Sequence, residues 1–205
     1  MCRPWAGDVL PRSLDDHDAL LVLGGSMGPH DDERAPWLPA VRELLRLAVA
    51  RDVPTLAVCL GMELLTVACG GEVRRAALPE VGLCELTPLQ EATGDRLFGP
   101  LTHTGGRLRA VQWHWEETGT LPDGAVPLVT SERCAHQSYR IGTSVWGVQF
   151  HPGSWRTTSA PGEPRTSAHC APSGSNPPVS WPRWLGRRQS CARCGVCSPS
   201  SGPRS

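Results

Sequence analysis

The chain contains no lysine, and its 20 basic residues other than histidine are all arginine. No physical requirement bars lysine from a whole surface, so the bias points to GC-rich coding. Net charge is also lacking, with 20 basic residues against 20 acidic ones. A balanced chain has no basic footprint for nucleic acid or an anionic membrane. No run of about 18 apolar residues is present to span a bilayer. The opening string MCRPWAGDVLPRSLDDHD has neither a basic start nor an apolar signal core. The expectation is a cytoplasmic protein with no nucleic-acid and no membrane partner. The cysteines lack a framework spacing: nine is an odd number, and Cys59, Cys69, Cys84 and Cys134 sit in hydrophobic contexts. Reduced thiols are expected rather than disulfides.

What is present suits one folded domain followed by a tail, since 205 residues can bury one core of ordinary size. DALLVLGG, Asp18 to Gly25, is a short apolar run ending in paired glycines, which fits a buried parallel strand entering a tight loop. From Pro36 onward, Trp37, Leu38, Val41, Leu44, Leu45, Ala48 and Val49 recur at helical spacing, with Arg42, Glu43 and Arg46 on the opposite face. VPTLAVC, Val53 to Cys59, predicts a second strand, and Gly61 to Ala68 a helix closed by Gly70 and Gly71. This alternation implies an α/β fold with a mostly parallel sheet flanked by helices. Additional antiparallel strands are expected over Val81–Thr87, Leu108–Trp113, Ala125–Thr130, Gln137–Ile141 and Ser144–Phe150. Beyond Pro152 the composition turns to Ser, Pro, Gly, Arg and Cys. Residues 153–205 are therefore expected to be a disordered tail behind a domain at 6–152.

Cys59 stands where a buried strand meets a helix, in Ala57-Val58-Cys59-Leu60-Gly61. A nucleophile elbow has this form. Its strained turn needs small neighbours, which Ala57 and Gly61 provide, and the helix N-terminus beside it is expected to favour a thiolate. A buried core thiol is the plain alternative on this string alone. His151 ends the strand Val145–Phe150 at a similar position, so Cys59 and His151 form a candidate nucleophile and general base.

AVCLGMELL, GVQFHP and LGG with Ser26-Met27-Gly28 together resemble class I glutamine amidotransferase domains, especially stand-alone ones similar to the glutaminase half of GMP synthase. The resemblance covers about residues 6–152 and implies a flavodoxin-like sheet. It implies that Cys59 attacks the side-chain amide of glutamine, and that His151 passes a proton to departing ammonia. Water then hydrolyses the glutamyl thioester, and ammonia goes to a synthetase or other acceptor on another chain. Backbone N–H groups of Gly25 and Leu60 would meet the oxyanion. No cofactor and no metal is implied.

The chain departs from the family in four places. The family carries a glutamate two residues after the histidine, where this chain has Gly153. Glu163, Glu116 and Glu117 are the alternative carboxylates. Glu63 replaces a glutamine expected to contact substrate, and an ionised glutamate offers only acceptors. His114-Trp115-Glu116 replaces a His-x-His or His-Gly-Asp string near the glutamine site. The first strand and helix of the family are absent before Ala6, which is expected to leave backbone groups and apolar surface of the sheet unpaired. A mis-assigned start and a frameshift after His151 would account for both ends. Two further readings follow: a catalytically impaired amidotransferase-like binding module, and a γ-glutamyl peptide hydrolase on the same scaffold. Cys191, Cys194 and Cys197 form a C-x-x-C-x-x-C string with no fourth ligand at useful spacing. Trp155, Trp181 and Trp184 are candidate partner anchors in the tail, and Asp31-Asp32-Glu33 is expected to be a solvated loop.

Overall fold

A computed structural model describes residues 1–103 and 108–152. Gly153, Glu163, the tail cysteines, the tail tryptophans and the expected disorder of residues 153–205 all lie outside the described residues.

Each apolar run of the N-terminal half becomes an element. Leu20–Val22 forms β1 and Thr55–Val58 forms β2. Between them α1, Leu38–Ala50, buries Leu38, Val41, Leu44, Leu45 and Ala48, with a proline in its first turn where a missing N–H does no harm. Leu60–Ala68 forms α2, whose polypeptide leaves the helix through Gly70 at φ +84°. The second half supplies β3 (Glu72–Pro88), a short helix α3 (Gly99–Thr102), β4 (Leu108–Thr120), β5 (Val126–Thr130), β6 (Ser138–Ile141) and β7 (Val145–Val148).

The seven strands make one sheet in the order β1-β2-β7-β6-β5-β3-β4. β1, β2 and β7 run parallel, and the remaining pairings are antiparallel. The α/β fold with added antiparallel strands is thus observed. β2 and β7 are neighbours in register, Ala57 opposite Gly147 and Val58 opposite Val148. That register brings the residues after the two strands, Cys59 and His151, to the same end of the sheet. β1 lies at the sheet's edge with Leu21 and Leu23 exposed.

The core has one cluster built from α1, α2, the parallel strands and β6, including Leu45, Leu60, Met62, Leu65, Tyr139 and Val145. A second cluster joins Val58, Leu86, Phe98, Leu128, Val148 and Phe150. Phe98 meets Phe150 edge to face at 6.4 Å between ring centroids. Among the described residues no helix is long and apolar enough to cross a membrane.

Three elements are larger or newer than the sequence pattern suggests. β3 begins at Glu72 and β4 continues to Thr120, because Arg74 lies opposite Glu117 and Arg75 opposite Glu116. Arg74 donates to the Glu117 carboxylate at 2.9 Å, so a cross-strand ion pair holds the ladder where apolar alternation is missing. The register then shifts between Arg75 and Glu80, where Pro79 has no N–H to give to the ladder. α3 follows from Asp95, whose Oδ1 accepts from the N–H of Leu97 at 2.8 Å and of Phe98 at 3.0 Å. Arg140 and Trp146 also donate to Asp95, fixing this turn to β6 and β7.

Gly61 is where α2 touches β1. A Cβ there would lie 2.4 Å from the backbone oxygen of Val22 and 3.1 Å from its carbonyl carbon. Neither neighbour is a flexible side-chain end. Gly61→Ala is expected to cost on the order of 2–3 kcal/mol, as overpacking against fixed atoms does. For a domain of this size that lowers the melting temperature by roughly 2–4 °C per kcal/mol. Unchanged thermal unfolding would show that α2 does not approach β1 so closely.

Candidate active site

Cys59 adopts φ +53° and ψ −114° as the residue joining β2 to α2. Only Asp52 and Cys59 among the described non-glycine residues have positive φ. Strain of this kind costs of order 1–3 kcal/mol and persists only where its surroundings enforce it. Here the Cys59 N–H donates to Val148 O at 2.8 Å, and its carbonyl accepts from Glu63 N at 3.1 Å. The residue is thereby clamped between β7 and the first turn of α2.

His151 reaches the same place from β7. Its N–H donates to Val111 O of β4 at 2.9 Å, forming an antiparallel bridge just past the strand's end. Gly24 marks where the two side chains converge. A Cβ at that position would lie 3.7 Å from Cys59 Sγ and 3.6 Å from His151 Cε1. The sulfur and the imidazole therefore both border the space in front of Gly24. Gly25 is equally constrained, since a Cβ there would lie 2.9 Å from Leu60 Cδ2 and 2.6 Å from Met27 Sδ. The backbone of the β1 loop thus runs directly against the start of α2. Asp31 holds that loop by accepting from Gly28 N at 2.9 Å, and Asp32 pairs with Arg42, so the acidic cluster is engaged in loop structure.

The ionisation of the pair differs from the expected thiolate. Burial and then the carboxylate of Glu63 push the Cys59 thiol up to about 12; the Leu60 N–H acts in the opposite sense but is outweighed. Burial, and secondarily the His114 ring, hold His151 below the ordinary histidine value. Cys59 is thus held as a thiol, and the His151 ring is biased toward its neutral form. The helix N-terminus alone does not decide the matter, because it competes with desolvation and a nearby carboxylate.

Glu63 is 4% exposed, one helical turn beyond Cys59. Its Oε1 accepts from Gln149 Nε2 at 3.0 Å. Burial raises its carboxyl to about 7, opposed by the Gln149 hydrogen bond. The side chain is turned to Gln149 and to the back of the elbow.

The alternative carboxylates do not complete the pair. Glu117 is taken by Arg74. The Glu116 carboxylate borders the β1 loop, 3.5 Å from where a Cβ of Gly28 would be, and it acts electrostatically on Cys59 and Glu63. His151 Nε2 is buried with no hydrogen-bond partner among the described residues. The orienting group expected to be missing at Gly153 is therefore not replaced by Glu116 or Glu117.

Two participants were not singled out from sequence. Gln149 stands two residues before His151 in GVQFHP, and strand alternation puts both on one side, which was the available signal. Glu80 is the other. It lies opposite His114 across the β3–β4 ladder and accepts from His114 Nε2 at 3.1 Å and Ser131 Oγ at 2.7 Å; Gln137 Nε2 also donates to it. His114 Nδ1 faces Glu116 O at 2.8 Å. Both ring nitrogens thus lie within hydrogen-bond distance of oxygen atoms. Its backbone-directed bond also fixes the residue whose carboxylate borders the loop. No group of three or more His, Cys, Asp or Glu side chains among the described residues could hold a metal ion.

Comparison with known proteins adds independent support. A family model described as Glutamine amidotransferase class-I matches residues 6–166. The glutamine amidotransferase-like protein YfeJ of Salmonella typhimurium is 32% identical over 152 residues, covering 73% of this chain and 62% of that protein. One subunit of the glutamine-hydrolysing GMP synthase from Sulfolobus acidocaldarius is 34% identical over 152 residues, covering 71% of this chain and 72% of the relative. Among solved structures, a glutamine amido transferase from Methylobacillus flagellatus superposes with a TM-score of 0.64 at 34% identity, covering 73% of this chain and 57% of that one. The chain spans less than two thirds of the length of the Salmonella relative and of the solved Methylobacillus protein.

Proposed function

The chain belongs to the class I glutamine amidotransferase family, and from that premise we propose that it hydrolyses the side-chain amide of glutamine through a thioester on Cys59. The observation that carries this reading is the left-handed Cys59 at the β2–α2 junction, facing His151 across Gly24. Cys59 Sγ attacks the amide carbon while His151 takes the thiol proton. The same imidazole returns that proton to the leaving nitrogen, which departs as ammonia. Water, deprotonated by His151, then attacks the thioester and releases glutamate. The oxyanion of each tetrahedral intermediate is placed against the N–H groups of Gly25 and Leu60. Their support is the position of Leu60 at the open end of α2, where its N–H acts on the Cys59 sulfur, and the place of Gly25 beside the Leu60 side chain. The Sulfolobus relative is by name one subunit of a synthase, which supports an ammonia acceptor on a partner chain.

One observation favours slow turnover. With His151 Nε2 unpartnered, nothing described stabilises the imidazolium formed during attack. Attack on the amide and attack of water on the thioester both pass through that imidazolium, so both halves of the cycle slow, which is the impaired-module reading in kinetic form. A chloroketone analogue of glutamine tests the site directly, since it needs a nucleophile but no ammonia release. Peptide mass spectrometry is expected to find the label on Cys59, with free glutamine protecting against it. Label absent from Cys59, or unaffected by glutamine, would remove the basis for this function.

A further inference from the structure

Glu63 and Cys59 are both buried, at 4% and 7% exposure. Cys59 caps the start of α2 and Glu63 lies in its first turn, joined to it by the first backbone bond of the helix, Glu63 N to Cys59 O at 3.1 Å. The groups around the carboxyl are few. Cys59 lies on its own helix, uncharged Gln149 comes from the end of β7, and Glu116 and His114 act from β4. Cys59 in turn faces Glu63, Glu116 and, across Gly24, His151. Of the two groups on β4, Glu116 disfavours the Glu63 carboxylate and His114 favours it, and buried like charges interact far more strongly than exposed ones. A thiolate at Cys59 and a carboxylate at Glu63 therefore oppose each other.

We propose that Glu63 is a positioning residue that gates the nucleophile electrostatically: ionised and held by Gln149, it keeps Cys59 as a thiol, and neutral, it releases that restraint. The gate deepens the reading of Cys59 as the attacking group and rests on it for its functional meaning. It also gives a physical consequence to the place where this chain carries Glu rather than Gln behind the elbow. With an uncharged side chain there, only burial and Glu116 would oppose the thiolate. With Glu63 the reactivity of the sulfur grows more slowly with pH than that of a simple thiol, because the carboxyl charges first. The sign follows from Glu63's value of about 7: below it the carboxyl is neutral and adds nothing, and above it the carboxylate disfavours the thiolate. Gln149 tunes the midpoint, since its N–H favours the ionised form.

The test is the rate at which iodoacetamide alkylates Cys59 in the intact folded chain, followed by peptide mass spectrometry from about pH 5.5 to 8.5 to bracket the carboxyl's titration. Exposed Cys2 serves as internal reference. The ratio of the Glu63→Gln rate to the wild-type rate is expected to be near one at the acid end. It then climbs through neutrality to on the order of tenfold at the alkaline end, equivalent to about one pKa unit of coupling. A ratio that stays flat with pH, whether at one or at a uniformly raised value, overturns the gate, since mere loosening of the elbow has no reason to follow a carboxyl's titration. Gln149→Leu provides a second route. It keeps Glu63 neutral to higher pH, so Cys59 should be alkylated faster than in the wild type at pH values just above neutrality. An unchanged rate in that variant contradicts the gate even if Glu63→Gln does not fold. Alkylation needs no glutamine, so a pH-dependent ratio in a protein that never releases ammonia would uphold the gate and reject the catalytic reading. Turnover with a flat ratio would do the reverse.

Discussion

Gly153→Glu is expected to raise glutamine hydrolysis by up to ~10,000-fold, the rate that a comparable triad loses when its orienting carboxylate is disabled. The basis is local. His151 sits correctly beside Cys59 at Gly24, yet its Nε2 is buried without a described partner. Burial already holds the ring below its ordinary value, which suits a base but disfavours the imidazolium that must form during attack. A carboxylate two residues onward, as the family pattern has it, would fix the tautomer and stabilise that cation. Ammonia release, measured by coupled assay, should rise in kcat with little change in KM, because the new group acts on the transition state and not on bound glutamine. An unchanged kcat would mean that the orienting group does not limit the reaction.

Cys59→Ala is expected to take ammonia release to the solvent background, and the loss should be largest when it is combined with Gly153→Glu. Every bond change in the proposed cycle passes through the sulfur, so no residual covalent route survives its removal. The fold should tolerate the change, since Cys59 Sγ fills space shared with Gly24 and His151 and its truncation leaves only a small void. Alanine keeps the strained φ but loses nothing that holds it, because the clamp consists of backbone bonds to Val148 and Glu63. Equal ammonia release by Cys59→Ala and wild type, with both proteins folded by circular dichroism, would rule out the thioester route.

How much of this was legible in the sequence depends on the range of the interaction. β1, β2, α1 and α2 could be read because each is an apolar pattern ended by a local signal, such as Gly24-Gly25 or Gly70. The elbow could be read for the same reason: small residues flank Cys59, and the structure gives it positive φ. The length of β3 and β4 was hidden, since the ladder there depends on the register that pairs Arg74 with Glu117 across 43 positions. The Glu63–Gln149 bond spans 86 positions, and nothing local to either residue announces it. The same holds for Glu80 and His114, which meet only once β3 and β4 are aligned. The ionisation of Cys59 was the largest departure. Sequence shows the helix start beside it but neither the depth of burial nor the direction of the Glu63 side chain, and those two decide the outcome.

The most direct test of the central claim uses glutamine itself. Wild-type protein mixed with glutamine, quenched in acid within the first turnovers and digested under acidic conditions, should yield a Cys59 peptide carrying a glutamyl group, the mass of glutamine less ammonia. That adduct should be absent from Cys59→Ala. Ammonia formed at the wild-type rate with no adduct on Cys59, and formed equally without the sulfur, would contradict the account.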